Sequence, residues 1–280
     1  MPFKTILVHI ADDDAGRARA DAAARLAEAH GARLVGFAAA AQPAPIVAEG
    51  SAFAASVWAE QAAEHERAAR AAADAFMAAM QERGQPAEVR VVGGFEDSAG
   101  ASLAVNARYA DLTVIGARDA VPSRALADAL IDGAVFDTGR PVLALPASGA
   151  AATMGQRPLL AWDGGPQAAR AASDALPLLT KAAEVRIVVA KTYFGMSRHG
   201  DEPGSDIARW LAAHGANVSV EVLDPEGERV ADALAGAATR HGCDLIVMGA
   251  FGHSRLREAI FGGVTSDLLT APTLPLFLAR

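Results

Sequence analysis

The chain reads twice, and that repetition bounds its fold more tightly than any other feature. Arg108-Tyr109-Ala110-Asp111-Leu112-Thr113-Val114-Ile115-Gly116-Ala117 lines up with His241-Gly242-Cys243-Asp244-Leu245-Ile246-Val247-Met248-Gly249-Ala250. Farther on, Arg140-Pro141-Val142-Leu143 lines up with Leu274-Pro275-Leu276-Phe277. Two copies of one structural unit follow from this spacing. With 280 residues, of which 52% are hydrophobic and 21% charged, the chain is long and apolar enough to build a packed core for each copy. The expected domains are residues 1–148 and 154–280, joined through a Pro/Ala/Ser/Gly stretch around 146–156.

Each copy alternates short apolar runs with longer alanine-rich segments. In the first, Thr5 to Ile10, Arg33 to Phe37, Glu88 to Val92, Asp111 to Gly116 and Arg140 to Leu145 read as strands. The segments closing at His30-Gly31, from Ser56 to Arg83, and from Ser98 to Tyr109 read as helices. The second copy gives strands at Pro158 to Asp163, Val185 to Ala190, Asn217 to Leu223, Asp244 to Gly249 and Leu274 to Leu278. Its helices are expected at Ala168 to Leu179, Ser205 to His214 and Val230 to His241. Continuous apolar strands alternating with helices predict parallel sheets covered on both faces, because right-handed crossovers place helices on both sides. The fold class is therefore α/β, with two tandem doubly wound five-stranded parallel-sheet domains. Such sheets take ligands beyond the carboxyl ends of their strands, at the reversal of strand order. That directs attention to the loops after Asp163 and Gly249.

Several function classes are disfavoured at once. A net charge of −8 gives no electrostatic reason to meet a nucleic acid or an anionic membrane. The single cysteine, Cys243, cannot form an internal disulfide, and its place before Leu245-Ile246-Val247-Met248 reads as a small buried hydrophobe. The seven histidines show no metal-site spacing. Met1-Pro2-Phe3-Lys4 runs straight into the first strand without a signal-peptide pattern, and no apolar run approaches the roughly 18 residues of a membrane span. A soluble cytoplasmic protein is the expectation.

Glycines mark the candidate site. Gly249-Ala250-Phe251-Gly252 follows the fourth strand of the second copy, and Gly262-Gly263-Val264-Thr265 comes after nine intervening residues. Glycine lets the backbone approach a ligand closely, and a helix start offers unpaired N–H groups to an anion. A phosphate cradle fits this pattern, and so does a tight turn followed by a helix break. Neither a GxxxxGK[ST] loop nor a GxGxxG motif occurs.

With Asp163 ending Leu160-Ala161-Trp162-Asp163-Gly164-Gly165, this pattern resembles the ATP-binding type of universal stress protein domain. The family pattern is GxxG, nine residues, then G followed by Ser or Thr, with an Asp closing the first strand. The resemblance extends over nearly the whole chain as a tandem pair and is strongest from about 158 to 280. It implies an adenine-nucleotide α-hydrolase-like fold that binds ATP together with Mg²⁺. Asp163 is then expected at the nucleoside end and Val189 or Ala190 beside the adenine. Gly249, Gly252, Gly262, Gly263 and Val264 would wrap the phosphates and ribose. Gly263 stands where Ser or Thr is common, and Thr265 is the nearby hydroxyl. His253 and Arg255 lie in the same loop, either facing phosphate oxygens or solvated. Asp163 is also a candidate helix N-cap.

The first copy departs from this pattern. Asp119 stands where the second glycine belongs, and counting back from Pro141 as the equivalent of Pro275 puts Asp128 at the place of Gly262. At about 5 Å and an effective dielectric near 20, each carboxylate would repel a phosphate charge by roughly 3 kcal/mol. A second possibility is that both aspartates cap turns on a solvated surface. Either way the first copy is expected to hold no ATP. A counterpart of Asp163 is sought among Asp12, Asp13 and Asp14.

Lysine occurs only at 4, 181 and 191, outside the glycine loop, and no catalytic triad is legible. The leading reading is an ATP-binding regulatory or stress-response protein, with at most slow hydrolysis. Its rivals are an adenine-nucleotide-dependent hydrolase or adenylating enzyme and a nucleotide-free interaction scaffold. Position 163 onward reads Asp-Gly-Gly-Pro, without the serine pair of the adenylating SGGxDS-like loop. The apolar edge Leu274-Pro275-Leu276-Phe277-Leu278 calls for cover. Arg140 to Leu145 is expected to supply it as an intramolecular pseudo-dimer contact, and a homodimer of chains is a further option.

Overall fold

The computed structural model describes residues 2–43, 52–148, 153–191, 202–225, 227–251 and 263–280. Contacts divide the chain into two compact units. The first is built from Pro2–Arg140 with 147–149, and the second from Pro141–Pro146 and Ala150–Arg280.

In the first unit the chain runs β1 (Thr5–Ile10), α1 (Asp14–His30), β2 (Arg33–Gln42), α2 (Ala52–Glu82), β3 (Ala87–Phe95), α3 (Glu96–Ala107) and β4 (Leu112–Gly116). A 3₁₀ turn (Arg118–Ala120) and α4 (Arg124–Asp137) complete it. The strands lie parallel in the order β3-β2-β1-β4. Helix α1 begins at Asp13, whose carboxylate accepts the Gly16 N–H at 2.5 Å, and it stops at Gly31 in the left-handed region. A cap of this kind contributes about 1 kcal/mol. Strand β2 continues well past Phe37, the end legible in the sequence. Its alanines 38 to 41 have little strand preference of their own, but the ladder to Val91, Val92, Gly93 and Gly94 of β3 holds them extended.

The second unit contains β5 (Val142–Leu145), β6 (Pro158–Ala161), α5 (Pro166–Asp174), α6 (Leu176–Leu179), β7 (Val185–Ala190), α7 (Ser205–Ala213) and β8 (Val218–Leu223). It ends with α8 (Val230–Arg240), β9 (Leu245–Gly249), α9 (Val264–Thr270) and β10 (Leu276–Ala279). Its order is β5-β10-β9-β6-β7-β8, with every pair parallel except β5 and β10. Among the described residues each half of the sequence thus contributes five strands. The edge of β10 is covered by β5, with Leu276 opposite Ala144, Phe277 opposite Leu143 and Leu278 opposite Val142. The single helix expected from Ala168 to Leu179 is broken in two. Pro177 has no N–H to give, so α5 closes through Ala175 N–H bonded to Ala171, and α6 starts afresh.

The aspartates matched in the repeat do the same work in both units. Asp111 accepts the backbone N–H groups of Lys4 and Thr5 at 2.7 and 3.0 Å. Asp244 accepts those of Gln156 and Arg157 at 2.9 and 3.0 Å, and that of Gly155 at 3.1 Å. Each carboxylate pins the start of the strand next to its own. Cys243, beside Asp244, is a buried free thiol that burial pushes up in pKa, which matches its reading as a small hydrophobe.

The first core also holds an unusual polar pair. Arg19, only 1% exposed, donates from Nε to the His9 carbonyl at 2.6 Å and approaches His9 Nδ1 at 3.3 Å with Nη2. Burial, then the neighbouring Arg19 charge, holds the His9 pKa well below its ordinary 6.5. Burial pulls Arg19 down to about 10. His9 is therefore neutral when folded and gains its proton more readily when unfolded. Stability from this source is full above pH 6.5 and declines as pH falls below it. The expected slope is up to about 1.4 kcal/mol per pH unit. His9→Asn, which keeps an acceptor for Arg19, should lose less stability between pH 7.5 and 5.5 in urea titrations than the wild type. Equal losses in the two proteins would refute the assignment.

Candidate functional site

Strand order in the second unit reverses between β6 and β9. From β6 the chain proceeds outward to β7 and β8, whereas β9 and β10 lie on the other side. The carboxyl ends of β6 and β9 therefore form the crevice in which sheets of this kind hold ligands. Ala161 pairs with Met248, so Trp162-Asp163 and Gly249-Ala250 leave the sheet side by side.

Asp163 is exposed there, and its carboxylate accepts the Gly165 N–H at 2.8 Å. The cap position itself belongs to Gly165, with Pro166 opening α5. Asp163 thus shapes the turn two residues ahead of the helix rather than capping it, and Gly164 makes that turn at φ +69°. Gly249 ends β9 directly beneath the start of α5. A Cβ at this position would lie 2.5 Å from the Ala168 nitrogen and 2.6 Å from the Gln167 carbonyl carbon. Only glycine lets the helix start sit this close to the strand, a requirement independent of any ligand.

Beyond β9 the backbone turns sharply at Phe251, whose φ of 50° is left-handed for an aromatic residue. That conformation costs on the order of 1–2 kcal/mol and persists only where the surroundings impose it. The Phe251 N–H donates to the Thr265 hydroxyl at 3.2 Å, tying the strand end to the first turn of α9. Gly263 is the residue before that helix, and its carbonyl accepts the Asp267 N–H. Thr265 is buried, and Gly263 and Val264 are half-buried. The structure therefore brings Asp163, Gly249, Gly263, Val264 and Thr265 onto the elements that border one crevice. Gly252, His253, Arg255 and Gly262 lie outside the described residues.

Val189 sits near the carboxyl end of β7, fully buried. Its side chain, with those of Ile187 and Val220, packs where Gly204 precedes α7. Ala190, which follows on the opposite face, is half-buried. Among the described residues no group of three His, Cys, Asp or Glu is arranged to hold a metal.

The first unit carries the same plan with different contents. Ile6 pairs with Leu112 as Pro158 pairs with Leu245, so the position matching Asp163 is Ala11. Asp12, Asp13 and Asp14 come later, and Asp13 corresponds to Gly165 as the helix cap. The counterpart of Asp163 is thus an alanine, which corrects the expectation drawn from sequence. By the same register Arg19 takes the place of Ala171, and its Nη1 lies 2.8 Å from where a Cβ on Gly116 would stand. Gly133, too late in sequence to serve as a loop glycine, is used in packing. A Cβ there would come within 2.2 Å of the Gly100 carbonyl oxygen on α3.

The carboxylates expected to repel phosphate are both engaged. Asp119 accepts the Ala147 N–H at 3.3 Å. Asp128 is bonded by Arg118 at 2.5 Å and by Arg124 at 2.7 Å. With two guanidinium groups on it, Asp128 is not the unscreened charge that the sequence-based repulsion assumed.

Residues 154–280 match the Universal stress protein family. That stretch, the second repeat, is a universal stress protein domain. A universal stress protein from Archaeoglobus fulgidus DSM 4304 matches over 99% of this chain and 96% of its own, at 16% identity and a TM-score of 0.71. A protein of unknown function from Pseudomonas aeruginosa PAO1 matches over 99% and 92%, at 15% identity and a TM-score of 0.59. At these identities the likeness is one of fold, and it covers both repeats. No curated protein matches the chain. Nothing in the sequence alone pointed to the Arg19 contact, the Phe251 turn or the Thr265 tether, because each depends on residues brought together only by the sheet.

The tight approach of α5 to β9 gives a direct test. Gly249→Ala should destabilise the second unit by about 1–3 kcal/mol, since the added methyl would push against backbone that cannot rotate away. Chemical denaturation reads this, and an unchanged midpoint would mean that the contact is loose.

Proposed function

We propose that the second repeat, a universal stress protein domain, binds one ATP at the carboxyl ends of β6 and β9, and that the chain is a nucleotide-dependent regulatory or stress-response protein of the cytoplasm. The observation that carries the reading is the convergence of Asp163, Gly249 and the Gly263-Val264-Thr265 helix start on one crevice. Each has a chemical use there. The Asp163 carboxylate is an exposed acceptor suited to ribose hydroxyls, and Ala190 leaves room beside the flat face of an adenine. Backbone N–H groups near Gly263 suit phosphate oxygens without adding charge.

Mg²⁺ would be held chiefly by the phosphates with water, in the manner typical of this ion, because the described residues offer it no cage of their own. The chain's own groups would bind and orient the nucleotide. The sequence that follows the first strand of this repeat, Asp163-Gly164-Gly165-Pro166, lacks the serine pair of adenylating loops, which supports a binding module over an adenylating enzyme. No helix among the described residues is long and apolar enough to cross a membrane.

Calorimetric titration of the full chain with Mg·ATP should give one site per chain. Gly262→Asp, which adds a side chain and a negative charge at the start of the phosphate segment, should abolish it. A stoichiometry of two, or unchanged binding in Gly262→Asp, would overturn the assignment. Mass spectrometry of nucleotide released from freshly purified protein provides an independent check, in which a different adenylate would redirect the reading.

A further inference from the structure

Asp128 lies in the second turn of α4, and Arg118 lies in the 3₁₀ turn that follows β4. The Arg118 Nε donates to one carboxylate oxygen of Asp128 at 2.5 Å, and the Arg124 Nε donates to the other at 2.7 Å. Arg124 is four residues away on the same helix and two-thirds exposed, an arrangement that by itself contributes little. Arg118 is different. Its side chain is 13% exposed, and it reaches Asp128 from a separate element across ten residues of chain. Partial burial acts to raise the Asp128 pKa, and the two arginines outweigh it, so the carboxyl is held below its usual range.

Two guanidinium groups from different elements thus converge on two oxygens of one anion. This is how arginines grip carboxylates and phosphates alike. The elements they join, the loop after the fourth strand and the helix that returns from it, match in chain order those that carry the glycines in the second repeat. In the first repeat Gly262 has become Asp128 by position, and an arginine has entered the loop at 118.

We infer that Arg118 and Arg124 form an oxyanion site in the first unit whose resident occupant is the chain's own Asp128 carboxylate. The occupant is covalently tethered, so its effective concentration at the site exceeds that of a free anion at ordinary levels. The 118–128 segment is therefore held closed with no ligand, and external phosphate finds the site filled. This inference does not rest on ATP binding by the second repeat.

Hydrogen–deuterium exchange of the segment 117–131, read by mass spectrometry on the full chain, tests it. In the wild type this segment should exchange slowly and respond to neither inorganic phosphate nor its absence. Asp128→Asn keeps the size of the side chain and removes its charge, and should speed exchange of the segment several-fold. Millimolar inorganic phosphate should then slow it again, and adding Arg118→Gln to the variant should remove that response. The inference is overturned if Asp128→Asn exchanges like the wild type, if phosphate fails to slow it, or if phosphate slows the wild type equally. Because the readout is confined to residues 117–131, a failure of ATP binding at the second repeat would leave every one of these outcomes legible.

Discussion

Both repeats hang on one carboxylate each. Asp111 and Asp244 stand just before the fourth strand of their repeats and collect the backbone N–H groups that open the first strand. A single side chain thereby fixes the register between the two strands that flank the reversal of strand order. Once that register is set, the positions that leave the sheet together are determined: Ala11 beside Gly116 in one unit and Asp163 beside Gly249 in the other. The side chains each repeat presents beyond the sheet follow from what the sequence puts at those exits.

The two units show how one scaffold answers the same geometric demand with different residues. In the second, an exposed carboxylate leaves one strand end, glycine sits under a helix start at the other, and a buried threonine ties Phe251 to the next helix. In the first, Arg19 fills the interior beside Gly116, and Asp128 with its two arginines fills the outer side. Buried charge of this kind is expensive unless it is hydrogen-bonded. Arg19 meets part of that need through the His9 carbonyl and ring, while its Nη1 has no hydrogen-bond partner among the described residues. Where the second unit exposes Asp163, the first has Ala11.

Much of this was legible in the sequence, for physical reasons. Apolar runs such as Thr5 to Ile10 and Val185 to Ala190 became β1 and β7 with the same limits, because buried parallel strands need continuous hydrophobic residues. The alanines at 38 to 41 and the far end of β3 were not legible, since those residues are held extended by their partners rather than by their own preference. The break between α5 and α6 was marked by Pro177, but alanine-rich residues on both sides hid it. At the candidate site, Asp163, Gly249 and Gly263 stand out in the sequence itself, and the structure sets them on elements bordering one crevice. The true counterpart of Asp163 in the first repeat does not stand out, because three aspartates in a row outweigh one alanine until strand pairing fixes the register.

The pairing of β5 with β10 has a consequence for how such a chain can be divided. Val142–Leu145 is encoded at the end of the first repeat but packs within the second unit. The genetic seam and the packing seam are therefore different places along the chain. Two identical edges related by a two-fold axis must meet antiparallel, and β5 and β10 meet that way with unlike sequences. Each edge is matched to a different sequence across the pair, and a fragment cut at the sequence boundary would leave Leu276-Phe277-Leu278 as an open apolar edge in search of a strand.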